Sequence, residues 1–120
     1  MPMDDQMLKI DHEETRGYHI VTLNGEIDAS SAKELDNFLV ELVRTKENNI
    51  IFDLREVEYI SSAGIGLFIY YSGELKKSDK QVVIANPTPT VKEILNLLTL
   101  EKFIPIVDSL EEAKLETEKV

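Results

Sequence analysis

Ser61 and Ser62 stand side by side, followed by Ala63, Gly64, Ile65 and Gly66. A serine hydroxyl can cap a helix, attack as a nucleophile or accept a phosphoryl group. A nucleophile needs a nearby base. Between Asp53 and Gly66 there is no His and no Lys. Capping and phosphorylation remain. One serine suffices as a cap, because one side-chain oxygen serves the first turn's free N–H groups. Gly64 and Gly66 fall in that turn, where each costs up to about 1 kcal/mol relative to Ala. Small residues there let another backbone or a bulky ligand come close. A phosphate on either serine sits at the positive end of the helix dipole, worth ~0.3–1 kcal/mol.

Asp28 and Asp53 are the other candidates. Strand-end carboxylates line ligand clefts in α/β folds, and a pair of them is a conceivable general acid and base. Neither motif holds a His or Lys to complete a nucleophile-activating set. There is no Walker-type glycine-rich loop. His12 and His19 lack matched ligand spacing, so no metal site is expected. Asp11, Glu13 and Glu14 read as solvated turn charges. No cofactor is expected, and binding is favoured over catalysis.

The elements that must position these residues follow from periodicity. Leu8–His12 and Tyr18–Asn24 read as a hairpin joined by a turn at Glu13–Gly17. Ser31–Thr45 carries apolar residues at spacings of three and four, with Ser31 and Glu34 as a capping box. Ile50–Leu54 suits a buried strand. A short polar loop then leads to a helix over Ser62–Lys77. Val82–Ala85 is a further strand. Thr90–Leu98 is a helix whose Val91, Ile94, Leu95 and Leu98 share one face. Phe103–Val107 reads as an edge strand, since Pro105 bars it from the centre. Ser109–Glu118 closes the chain as a helix. Alternation of this kind predicts an α/β fold, a mixed central sheet of about four to five strands with about four helices. Tyr70 and Tyr71 divide between core and rim. Tyr59, Ile65, Phe68 and Ile69 are expected in the packed or contacting rim, and Leu97 and Leu100 form an exposed pair or belong to the core.

The chain has 120 residues, with 13 Lys+Arg against 23 Asp+Glu. One domain spanning 1–120 is expected, with its ordered core at about 7–116. A chain of this size buries about two-thirds of its unfolded surface, enough for a core without staples. The absence of Cys excludes disulfides and thiolate chemistry. The net charge of −10 argues against a nucleic-acid partner. It favours steering toward a basic one. The apolar run Ile65–Tyr71 is too short to span a bilayer. The acidic N-terminus is wrong for a secretory signal. A cytoplasmic location is therefore expected.

Asn24-Gly25-Glu26-Ile27-Asp28 before a helix, then Asp53-Leu54 through Ile60-Ser61-Ser62-Ala63-Gly64-Ile65-Gly66, resembles the STAS domain of bacterial anti-sigma factor antagonists. The Asn86-Pro87 loop fits as well. The resemblance runs from about Leu8 to the last helix. It implies a regulator that works by partner switching. The unphosphorylated form binds an anti-sigma factor serine kinase of the GHKL type and frees a sigma factor. A PP2C-type phosphatase resets the phosphorylated form. On matching positions Ser62 is the phosphoacceptor, and Asp28 and Asp53 lie near it. Asp28, Asp53, Ser61, Ser62, Ala63, Gly64 and Gly66 make the partner-binding set. The family often has Asp just before the acceptor. Ser61 stands there instead and is a rival acceptor. The same fold also serves as a structural subunit, for example of a lipid-transport ATPase complex.

Overall fold

The computed structural model describes residues 8–15, 17–44 and 47–118. Arg16 and Thr45, assigned above to a turn and a helix end, lie outside them, as does the acidic N-terminus. Five strands form one sheet in the order β1-β2-β3-β4-β5. They are β1 (Lys9–Thr15), β2 (Tyr18–Ile27), β3 (Asn49–Ile60), β4 (Val82–Ala85) and β5 (Ile106–Val107). β1 runs antiparallel to β2, and the remaining pairings are parallel. The helices are α1 (Ala29–Leu42), α2 (Ser62–Lys76), α3 (Pro89–Leu97) and α4 (Leu110–Thr117). A 3-10 turn spans Leu100–Lys102. The α/β class and the mixed sheet are those expected from the sequence.

Strand alternation divides the core in two. Ile50, Phe52 and Leu54 of β3 join Leu35 and Leu39 of α1, Phe68 of α2 and Val91 of α3. Phe52 and Phe68 meet with ring centroids 4.6 Å apart. Ile51 points the other way, packing with Val83, Ala85 and Ala113 of α4. Tyr71 of α2 donates its hydroxyl to the Asp36 carboxylate of α1, which ties the two helices together. Burial, and then that bond, hold the phenol well above its ordinary pKa.

The main departure is at β2 and β3. The expected loop after Leu54 does not exist: β3 continues to Ile60 and β2 to Ile27. The two strands pair beyond the end of β4, down to Ile27 opposite Ile60. Register shifts between Thr22 and Asn24 and between Gly25 and Glu26 interrupt this pairing. Gly25 takes φ 125°, which a side chain would resist. Such bulges add a residue on one strand and break the two-residue period. Val57 and Ile60 are both buried for that reason, although their spacing does not alternate.

Smaller differences concern the ends. β1 reaches Thr15, so Glu13 and Glu14 are strand residues. α1 begins earlier than expected, with Asp28 as its N-cap and Ser31 as the capping-box partner in place of Ser31 and Glu34. α3 starts at Pro89, one residue ahead of the expected Thr90, with Thr88 as its N-cap. In α3, Val91 and Leu95 are buried, while Leu98, just past the helix end, is exposed. Pro105 precedes β5, which keeps only two residues of the expected edge strand.

Candidate functional site

The β2–β3 extension delivers two helix starts to one end of the molecule. The backbone N–H of Ser61 donates to the carbonyl of Ile27 at 2.8 Å. This bond places the α2 start beside Asp28 at the α1 start. Asp28 accepts from the Ser31 N–H at 2.9 Å, and its own N–H donates to Ser31 Oγ at 2.9 Å. The Ser31 N–H bond, opposed in part by desolvation, holds the Asp28 carboxyl below the usual carboxylate range. Asp28 is therefore a fixed negative charge beside the serine pair at neutral pH.

The two serines have different employment. Ser61 is the N-cap of α2 in extended conformation, and its Oγ accepts from the Gly64 N–H at 3.4 Å. Ser62 opens the helix and is exposed. Its position in the first turn leaves backbone N–H groups without helical partners close by. Capping thus falls to Ser61, and the Ser62 hydroxyl faces solvent.

The glycines also differ. A Cβ on Gly64 would come 2.6 Å from Ile27 Cγ2 and 3.0 Å from Ile60 Cγ1. Gly64 serves the packing of α2 on the strand ends, where the sequence reading had it open to a partner. A Cβ on Gly66 would meet nothing within 4 Å. Ala63 and Gly66 are exposed beside Ser62. Along the same helix Ile69 and Tyr70 are exposed, and Tyr59 is exposed on the strand that leads in. Ile65 and Phe68, expected in the rim, are core residues. Tyr71 is core, and Tyr70 is rim. Leu97 is exposed and Leu100 buried, so they are not a pair.

Asp53 is not beside the serines. It shares strand parity with Ile51 and so faces the α4 side of the sheet, opposite Phe52 and Leu54. It lies seven residues before Ile60, a span of roughly 20 Å at the usual strand rise. Its carboxylate accepts from the Arg55 N–H at 3.1 Å, from Arg55 Nη2 at 3.3 Å and from Asn86 Nδ2 at 3.3 Å. Asn86 has φ 58°, a conformation that Asn tolerates better than most residues. Asp53 therefore pins the loop after β4. It is 3% exposed, so it offers no open carboxylate for acid–base work.

Acidic side chains surround the serine end. Glu26, Glu56 and Glu58 are exposed on the β2–β3 extension, and Glu26 pairs in register with Tyr59. The arrangement can present a hydroxyl, a small flat patch and a few apolar side chains within an acidic rim. Among the described residues no cluster of three His, Cys, Asp or Glu is arranged to hold a metal ion. None of their helices is long and apolar enough to cross a membrane.

A mixed sheet of this order with four helices agrees with the comparisons to known proteins. The STAS domain model matches residues 9–113, and the chain belongs to that family. The anti-sigma F factor antagonist of Paenibacillus polymyxa is 25% identical over 114 residues, covering 94% of this chain and 97% of that protein. A solved anti-sigma factor antagonist from Mycobacterium paratuberculosis superposes with TM-score 0.82 at 20% identity, covering 95% of this chain and 97% of that one. The anti-sigma factor antagonist SpoIIAA in its unphosphorylated form gives TM-score 0.77 at 20% identity, covering 93% and 99%. The phosphorylated form of Bacillus SpoIIAA gives TM-score 0.70, covering 92% and 100%.

Proposed function

We propose that the chain is an anti-sigma factor antagonist whose binding is switched by phosphorylation of Ser62. The division of labour at the start of α2 carries this reading. Ser61 caps the helix, so Ser62 can be modified without removing the cap. Relatives named as antagonists and a fold shared with both forms of SpoIIAA support it.

The unmodified end docks on an anti-sigma factor serine kinase of the GHKL type, in the cytoplasm, and the sigma factor is released. Tyr59, Ala63, Gly66, Ile69 and Tyr70 supply the contact, and the acidic rim favours a basic partner face. Phosphorylation adds about −1.5 to −2 charge at pH 7. Asp28, Glu26 and Glu58 already make this end negative. Docking would desolvate the phosphate dianion against Asp28, Glu26 and Glu58, at the small-residue contact rather than at the rim where the partner's basic groups sit. Like-charge conflict of this kind costs several kcal/mol. The phosphate meanwhile lies favourably at the α2 dipole. The switch therefore blocks docking locally and leaves the fold intact. A PP2C-type phosphatase restores the hydroxyl. The role is binding, not catalysis.

The test is a pull-down from the host with Ser62→Ala and Ser62→Glu as baits. A GHKL-type kinase held by Ser62→Ala and lost from Ser62→Glu is the expected result. Equal capture by both baits, or capture of a membrane ATPase in its place, contradicts the reading.

A further inference from the structure

We propose that His12 and His19 form a pH-sensitive latch that holds the edge strand β1 to β2 and to Asn48, just ahead of β3. The sequence offered no reason to join these two histidines. The hairpin register does, because it sets His12 opposite Val21 and Glu14 opposite His19. All four residues thus share the face that packs toward α1.

His12 Nε2 lies 2.8 Å from His19 Nδ1. The Asn48 side-chain nitrogen lies 3.2 Å from His19 Nε2 and donates to Glu14 Oε2 at 3.3 Å. Phe38 of α1 meets the His12 ring edge-on, with centroids 5.8 Å apart. An ionised carboxylate only accepts, so Glu14 fixes which end of the Asn48 amide is nitrogen. That nitrogen donates to His19 Nε2, so neutral His19 carries its proton on Nδ1. It then donates to His12 Nε2. The chain of bonds has room for one proton between the two rings. A further proton on His19 Nε2 confronts the Asn48 amide N–H. A further proton on His12 Nε2 confronts the His19 Nδ1–H. Either one breaks a link.

The charged neighbours are few. β1 supplies His12 and Glu14, Asn48 is neutral, and α1 supplies the uncharged Phe38. Glu41 and Arg44, near the end of α1, are paired with each other at 3.5 Å. His19 is 7% exposed. Burial, and then His12, lower its pKa, partly offset by Glu14. The folded value thus lies below the unfolded value of about 6.5. The unfolded or opened strand binds more protons in that window. The latch is fully effective above about pH 6.5 and is lost as pH falls from there through the folded value. Opening it frees the outer edge of β2 while leaving α2 in place.

Hydrogen exchange by residue, corrected for intrinsic rates, tests this in the full chain. Between pH 7.5 and 5.5, protection in Ile10–Glu14 is expected to fall at least fivefold, with α2 unchanged. His19→Gln removes the buried ring, and the pH response should vanish; His12→Gln, on an exposed position, removes only the second cause of the lowered pKa, so there the response should shrink without vanishing. Ring nitrogen spectra should give His19 neutral and protonated on Nδ1 at pH 7.5. Unchanged β1 protection, a full pH response that survives in His19→Gln, or a cationic His19 at pH 7.5 would each overturn the latch.

Discussion

Asp53 and Ser62 belong to one continuous stretch of sequence, yet they do opposite jobs on opposite faces of the sheet. Asp53 is buried and accepts three hydrogen bonds from Arg55 and Asn86. Ser62 is exposed, and its neighbour Ser61 fills the cap that it would otherwise serve. A polar residue with all its partners inside the fold holds the fold. A polar residue left over after the fold is satisfied is available to a partner. The contrast separates structure from switching within one motif.

The largest expected effect lies on the switching side. Phosphorylation of Ser62 should weaken kinase binding by about 100-fold or more, since each ~1.4 kcal/mol is tenfold in affinity. Titration calorimetry of the purified pair would measure this. A loss under fivefold would place the serine outside the interface.

On the structural side, Asp53→Ala should lower stability by about 1–2 kcal/mol, because the half-buried Asn86 amide and the Arg55 backbone N–H lose their acceptor, while the exposed Arg55 guanidinium returns to water. Urea denaturation reads this. Binding by the folded fraction should be unchanged, and a selective loss of affinity would return Asp53 to the site.

The glycines sharpen the comparison further. Gly64→Ala should cost about 1–2 kcal/mol, as overpacking against Ile27 and Ile60 outweighs the helix gain. Gly66→Ala should instead gain about 0.5–1 kcal/mol on an open helix surface. Equal signs in thermal melts would contradict the packing described.

The smallest effects concern the serines themselves. Ser61→Ala should cost about 0.5–1 kcal/mol as a lost cap. Ser62→Ala should stay within about 0.5 kcal/mol of the parent. Chemical denaturation of both variants side by side checks the order.

Much of this was legible in the sequence. Val82–Ala85 is a strand with the bounds expected, the helical spacing of α1 located that helix, and α2 lies where a helix over Ser62–Lys77 was expected. The serine pair was legible because two hydroxyls stand where one cap is needed. The β2–β3 extension was not, because its bulges hide alternation at Val57 and Ile60. The place of Asp53 was missed for the same reason: with β3 cut at Leu54, Asp53 read as a strand end. Gly64 read as open because its close neighbour, Ile27, is distant in sequence. The His12–His19 contact depends on the hairpin register, which no local spacing encodes.

Phosphosite mapping by mass spectrometry tests the central claim most directly. The protein would be isolated from its host during growth and under stress, with Ser62→Ala as control. The account predicts a condition-dependent phosphate on Ser62 and none on Ser61. A phosphate on Ser61, or none on either serine in any condition despite normal expression, would contradict it.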